Sequence, residues 1–267
     1  MSKVLLIDAY NMIHRSRFGF GTGDHAITFN FFRALRSEIN RHEPNKVYIV
    51  SEGRPIHRIQ ESGGEYKGNR EGVLDEGFHR QKREIFELCK YLPVTFIRHP
   101  EYECDDVIGT LTNKHVDEGD EVVICSSDSD FIQLLVRENV YLWNPVKKKF
   151  IEQWPVDYLI WKGLKGDPTD NIPGIKGVGA KTATKLAENP EELEIFLNKK
   201  EGRREIYESA KRQIKLVDIS EDCEKWEREV YVFQENNLFN EFKNRGFKTI
   251  IGNAWPKWIN TMETIYE

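Results

Sequence analysis

An α/β fold is predicted, with a mostly parallel central sheet flanked by helices in the first part of the chain and a helical region in the second. Three observations predict it. Short apolar runs that read as strands alternate with segments of helical period up to Trp154. Strand signal fades after Trp154, and acidic residues fall where strands end or helices begin. Alternation of this kind implies parallel strands joined by crossover helices that cover both faces of a sheet.

The elements follow in order. "KVLLID" is a short buried strand ending in an acid, and "AITFNFFRALRSEI" carries apolar residues at helical spacing. "KVYIVSE" is the second strand. Residues 53–77 are polar, glycine-containing and poor in core residues, too long for an ordinary connection. A helix "FHRQKREIFELCKYL" and a strand "VTFI" come next, then the helix "CDDVIGTLTNKHVDEG" closed by Gly119. "EVVICSS" and "VYLW" are strands on either side of the helical "DFIQLL". Beyond Trp154, "VDYLIWKGL", "AKTATKLAE", "PEELEIFLN" and "REIYESAKRQIKLV" all read as helices. The expected division is residues 1–154 and 155–267, and the last thirty or so residues are the least readable.

Composition narrows the function. The chain of 267 residues fits one large domain or two closely packed ones. No apolar run approaches the ~18 residues a membrane helix needs, and "VLLI" stops at Asp8 without a cleavage site, so a cytoplasmic protein is expected. Cys89, Cys104, Cys125 and Cys223 are scattered, without a C-x-x-C, and read as reduced thiols, most of them buried. His99 and His115 belong to no H-E-x-x-H and read as helix or loop residues. The net charge of −5 argues weakly against nucleic acid, yet basic residues crowd 54–83 and 162–215.

The acids carry the chemistry. Asp8 and Glu52 end strands, Glu103, Asp105 and Asp106 open a helix, Asp128 and Asp130 follow a strand, and Asp167 and Asp170 precede a glycine run. Ligands of open α/β sheets bind outside the carboxyl ends of the strands. In extended chain Asp128 and Asp130 would point the same way, and on a helix Glu103 and Asp106 share a face. Gathered together, such carboxylates repel and raise one another's pKa. Hard divalent cations relieve this, because Mg²⁺ takes oxygen ligands and pairs with phosphates. Two such ions about 4 Å apart activate a water and stabilise the leaving oxygen of a phosphodiester. Any one of these acids alone is better explained as a helix cap or turn residue; the repetition at four or five junctions of one sheet favours a site.

"KGVGAKT" is neither a P-loop, since Ala180 intrudes before Lys181, nor a G-x-G-x-x-G, since Thr182 takes the third glycine position. Two readings remain. Closely spaced glycines opening a helix, with Lys176, Lys181 and Lys185, would grip a phosphate backbone; the same residues would equally make a tight helix–helix turn with solvated lysines.

"LIDAYNMI", "EYKGNR", "YECDDVIG", "SSDSDF" and "GDPTDNIPGIKGVGAKTA" occur in this order and together resemble the 5′-nuclease family, the flap endonucleases and 5′→3′ exonucleases, most nearly its free-standing phage or bacterial members. The resemblance covers residues 3–186. It implies a PIN-like domain with an arch or clamp at about 53–77, and a helix–three-turn–helix element at about 155–190. Asp8, Glu103, Asp105, Asp106, Asp128, Asp130, Asp167 and Asp170 would be metal-site acids, with Asp128 and Asp130 essential to cutting. Lys67 and Arg70 would contact the scissile phosphate from the arch. Gly174, Lys176, Gly177, Gly179, Lys181, Thr182 and Lys185 would hold duplex DNA. The implied cofactors are two Mg²⁺, replaceable by Mn²⁺, with K⁺ at the helix–three-turn–helix. Two positions depart from the family pattern: Glu52, which would ligate metal with a shifted ion, stands where Asp is usual, and His14, which would stack on a base or contact phosphate, where an aromatic is usual, with Phe18 and Phe20 as nearby alternatives.

The expected activity is divalent-metal-dependent cleavage of 5′ ends and flaps of DNA, extending to RNA primers, by a monomer in replication or repair. A sliding clamp or single-strand-binding protein is a fitting partner. The rivals are a non-catalytic DNA-binding factor on the same scaffold and a PIN-type ribonuclease.

Overall fold

A computed structural model describes residues 1–21, 23–69 and 75–265. Seven strands form one sheet: β1 (Lys3–Asp8), β2 (Lys46–Ser51), β3 (Thr95–Arg98), β4 (Glu121–Cys125), β5 (Val140–Asn144), β6 (Lys149–Ile151) and β7 (Glu227–Val230), in the order β6-β5-β4-β1-β2-β3-β7. β5, β4, β1, β2 and β3 are parallel, and the edge strands β6 and β7 run antiparallel. The helices are α1 (Ala9–Ser16), α2 (Ala26–His42), α3 (Ile56–Glu61), α4 (Glu76–Cys89), α5 (Cys104–Asp117), α6 (Tyr158–Lys165), α7 (Ala180–Glu188), α8 (Pro190–Asn198), α9 (Arg203–Ile214), α10 (Glu235–Asn244), α11 (Lys248–Ile251) and α12 (Trp255–Met262). Among the described residues, no helix is long and apolar enough to cross a membrane.

Central strands buried on both faces explain why β1 is an unbroken apolar run. Leu5 and Ile7 face one core with α1, α2 and α4; Val4 and Leu6 face the other with α5, α6 and α7. The predicted helix "DFIQLL" is a 3₁₀ helix over Asp130–Val136. Three of the cysteines are buried and Cys223 is exposed; all four are free thiols.

The expectation of one helical region over 155–267 is corrected at its far end. β7 pairs with β3, and α10–α12 return to the α/β core, where Leu238, Phe242, Trp258 and Met262 pack with Phe32 of α2. β7 is exposed along its length, so it lacks the apolar alternation that marks a strand in sequence.

Candidate active site

β4, β1 and β2 lie side by side and parallel, so Asp8, Glu52 and the segment after Cys125 emerge at one edge of the sheet. The start of α5 is drawn to the same edge by a hydrogen bond from the Cys104 amide to Glu52 Oε2 at 3.2 Å. Asp8 does double duty. Its Oδ1 accepts the Asn11 amide at 2.9 Å, capping α1, and its Oδ2 accepts the Ser126 hydroxyl at 2.7 Å. Capping and clustering are therefore compatible roles for one carboxylate.

Two groups of acids result. Ligand atoms of Asp8, Cys104 and Asp105 lie within 4.8 Å of one another, and so do those of Asp130, Asp167 and Asp170. Asp128 links them electrostatically, since its charge raises the pKa of Asp8, Asp105 and Asp130 in addition to the larger effect of burial. Burial, then Glu103 and Asp8, push Glu52 up to about 7; burial pushes Asp130 up to about 7 despite its pairing with Lys162. Burial, then the charges of Asp8, Glu52 and Asp105, holds the Cys104 thiol well above its ordinary range. Crowded, partly protonated carboxylates at the positive N-terminus of α5 fit hard divalent cations.

The linkage has a definite sign. Glu52 and Asp130 titrate near 7 in the fold but have ordinary values of 4.5 and 3.8. Their contribution to stability is therefore full at low pH and lost as pH rises through about 7. A divalent ion binds the deprotonated form, so the rise in melting temperature on adding Mg²⁺ should grow from about pH 5.5 to about pH 8. A pH-independent rise in a thermal-shift assay would contradict this.

Several expected residues lie elsewhere or act differently. Asp128 and Asp130 do not point alike from an extended chain. The Asp130 amide donates to Asp128 Oδ1 at 2.9 Å as the 3₁₀ helix begins, and only Asp130 joins Asp167 and Asp170. Asp106 does share a face with Glu103, but it turns to Arg58, whose Nη2 donates to its Oδ1 at 2.7 Å, and it accepts the Val217 amide at 2.9 Å. Completely buried in these bonds, Asp106 braces α5 against α3 and the segment after α9 instead of offering free oxygens to an ion. Lys67 reaches the site: its ammonium pairs with Glu103 and its amide donates to the Asp170 carbonyl at 2.9 Å. Arg70 lies outside the described residues. His14 packs between the rings of Tyr10 and Phe78, at 5.2 and 5.0 Å, while Phe18 and Phe20 are exposed.

The glycine run divides in two. A Cβ on Gly174 would stand 2.0 Å from the Lys165 carbonyl oxygen, so Gly174 lets the turn close against the end of α6 and offers little surface to a ligand. Gly177, with φ +85°, and Gly179, at the start of α7, face open space beside the exposed Lys176, Lys181 and Thr182. Lys185 is exposed and pairs with Glu192 at 3.2 Å. Trp161 Nε1 donates to the Ala180 carbonyl at 3.2 Å and ties α6 to α7.

Three participants were not singled out from sequence: Arg58, Tyr66, whose hydroxyl donates to Glu103 at 2.8 Å, and Lys162, a buried ammonium paired with Asp130 and, at 2.7 Å, with Asp167. The available signal was the basic crowding over 54–83 and 162–215.

A cavity of about 760 Å³ on the α1–α2 side is lined by Arg15, Arg33 and Arg36 with no acid among the described residues. Among the described residues none of the three forms an ion pair, and burial, then the neighbouring Arg33 charge, lowers the pKa of Arg36.

Family models agree with this architecture. Residues 3–158 match the "5'-3' exonuclease, N-terminal resolvase-like domain" and residues 153–236 the "5'-3' exonuclease, C-terminal SAM fold". The chain is 31% identical to a 5'-3' exonuclease of Aquifex aeolicus over 236 residues, covering 81% of this chain and 80% of that protein. It is 32% identical over 210 residues to the thermostable DNA polymerase I of Thermus thermophilus, covering 73% of this chain but only 25% of the polymerase. Among solved structures, a bacteriophage T5 D15 flap endonuclease complex with DNA and metal ions superposes with a TM-score of 0.63 at 22% identity, covering 83% of this chain and 90% of that one. Flap endonuclease-1 from Methanococcus jannaschii gives 0.59 at 15% identity, with 99% and 91% covered. A PIN-like α/β domain, an acid-lined sheet edge and both family models lead to one conclusion: the chain belongs to the 5′–3′ exonuclease family.

Proposed function

We propose that the chain is a Mg²⁺-dependent, structure-specific 5′ nuclease that hydrolyses phosphodiester bonds at 5′ ends and flaps of DNA in replication or repair. The observation that carries this reading is the convergence of Asp8, Glu52, Glu103, Asp105, Asp128, Asp130, Asp167 and Asp170 at the edge of the sheet reached by Lys67. Asp8, Asp105 and Glu52 would hold one ion and Asp130, Asp167 and Asp170 a second, with Asp128 between them. When bound, the ions supply an activated water and neutralise charge on the leaving oxygen. The protein's own part is positional. Lys67 is held beside Glu103 and Asp170, where its ammonium can meet a phosphate that displaces the Glu103 contact. Gly177, Gly179, Lys176, Lys181 and Thr182 hold the duplex backbone on one side of the cut, and exposed backbone there suits K⁺. The T5 complex with DNA and metal ions and the exonuclease of Aquifex aeolicus support this reading for the chain. RNA–DNA hybrid is a further substrate, the active form is a monomer acting in the cytoplasm, and a sliding clamp or single-strand-binding protein is the class of partner.

Replacing Asp128 or Asp130 by Ala should abolish cutting of a labelled 5′-flap in Mg²⁺ while sparing duplex binding; full activity in either variant would sink the assignment. The arginine-lined cavity extends the duplex-binding surface. Each phosphate contact contributes about 0.9 to the slope of log K against log salt. The triple variant Arg15→Ala, Arg33→Ala, Arg36→Ala should therefore lower that slope by about 2–3 in a fluorescence-anisotropy titration, and an unchanged slope would show that DNA does not reach this cavity.

A further inference from the structure

The two groups of acids differ in one respect. Among the described residues, no lysine or arginine pairs with Asp8 or Asp105, whereas Asp130 and Asp167 close around the ammonium of Lys162, a side chain on α6 whose residue is 4% exposed. A lysine is almost never that buried unless its charge is matched. Here the match is made by two of the three acids whose oxygens converge within 4.8 Å. Two of the ammonium's three donors are aimed at two of the carboxylates that a divalent ion at this group would need. An ammonium and a divalent ion at such range repel strongly, so the two cannot share those oxygens.

The surroundings give the lysine somewhere to go. A cavity of about 450 Å³ opens beside the pair, lined by Lys162 itself together with Asp128, Asp167, Trp154 and Tyr158. The four-methylene arm of a lysine is flexible enough to swing its ammonium into such a space.

Resting on the two-ion reading above, we propose that Lys162 is an internal cation that holds Asp130 and Asp167 together in the ion-free protein and gives way to the second divalent ion. The two ion positions then fill unequally. The Asp8–Asp105 group, with no ion-paired lysine or arginine to expel among the described residues, fills first; the Asp130–Asp167–Asp170 group fills only at higher ion concentration, because the ion must expel Lys162. Lys162 is a positioning residue in this account, acting through the acids.

Mn²⁺ titration followed by electron paramagnetic resonance of the free ion, on wild type and Lys162→Met, tests this without reference to activity. Wild type should show one tight and one weaker site, and Lys162→Met should tighten the weaker site by about tenfold or more. Lys162→Arg, which keeps the charge, should leave it weak. Lys162→Met should also melt lower than wild type in EDTA and gain more on adding Mg²⁺. An isotherm of folded Lys162→Met that superposes on wild type would overturn the proposal. Should Lys162→Met fail to fold, ¹⁵N-lysine spectra of wild type decide. The Lys162 Nζ signal should shift as the second equivalent of Mg²⁺ binds, and a signal unmoved at saturation would overturn the proposal as well. Flap cleavage is scored separately: tightening of the weaker site in Lys162→Met, together with a wild-type protein that leaves flaps uncut, upholds the role of Lys162 and refutes the flap-nuclease reading.

Discussion

Asp105→Asn is expected to lower cleavage of a 5′-flap by about a thousandfold and, in EDTA, to raise the melting temperature. The two effects have one origin. Asp105 is half-buried at the start of α5, and burial first, then the charges of Asp128, Glu52, Asp8 and Glu103, hold its pKa well above the ordinary carboxylate range. Asparagine keeps the shape and removes the charge. The ion-free fold loses a source of repulsion, a gain of about 1 kcal/mol or more, or about 2–4 °C for a chain of this size. With Mg²⁺ the order should reverse, since wild type gains an ion that the variant binds poorly. A merely structural aspartate would lose stability in both conditions. Thermal melts with EDTA and with Mg²⁺, beside single-turnover cleavage, separate the two cases; a variant that melts lower in EDTA would argue against Asp105 as an ion ligand.

Arg58→Ala is expected to destabilise the fold by about 3–5 kcal/mol. The residue is 2% exposed and every arm of its guanidinium is engaged. Nε donates to the Gln213 carbonyl at 2.8 Å, Nη1 to Glu103 at 3.1 Å, and Nη2 to Asp106 at 2.7 Å and to the Lys215 carbonyl at 3.1 Å. Truncation strands a fully buried carboxylate and two carbonyls, and stranding one partner of a buried pair costs more than the pair contributes. Pairing Arg58→Ala with Asp106→Ala should therefore recover part of the loss, and Arg58→Lys should not, because an ammonium cannot reproduce the forked contact. Urea melts of wild type, the two single alanine variants, the double variant and Arg58→Lys measure this; additive losses in the double variant would show that Arg58 and Asp106 are energetically independent.

Much of this architecture was legible in the amino-acid sequence because local pattern and tertiary role coincide. β1 is buried on both faces and reads as an apolar run, and the acids at the ends of β1, β2 and β4 stand together because parallel strands present one kind of end at one edge. Where a residue's partner is distant in sequence, legibility failed. Arg58 meets Asp106 and Gln213 across 48 and 155 residues, and Lys162 meets Asp130 across 32, so neither pairing has a local signature. Asp106 looked like its neighbours because spacing reports a shared helix face and not which charge waits on it. β7 and α10–α12 were obscure for the same reason: an exposed edge strand and short helices derive their order from packing on β3 and α2. Gly174 and Gly177 looked alike, yet one is pressed against backbone and the other opens to solvent.

The most direct measurement is a cleavage panel in Mg²⁺ with cut sites mapped on 5′-flap, nicked, blunt, single-stranded and RNA–DNA hybrid substrates. The acid-lined edge and the duplex grip beside it predict incision of the flap substrate at its junction with duplex, dependent on the divalent ion and lost in EDTA. Cutting of single-stranded RNA with none on flaps, or flap cutting undiminished by EDTA, would contradict the account.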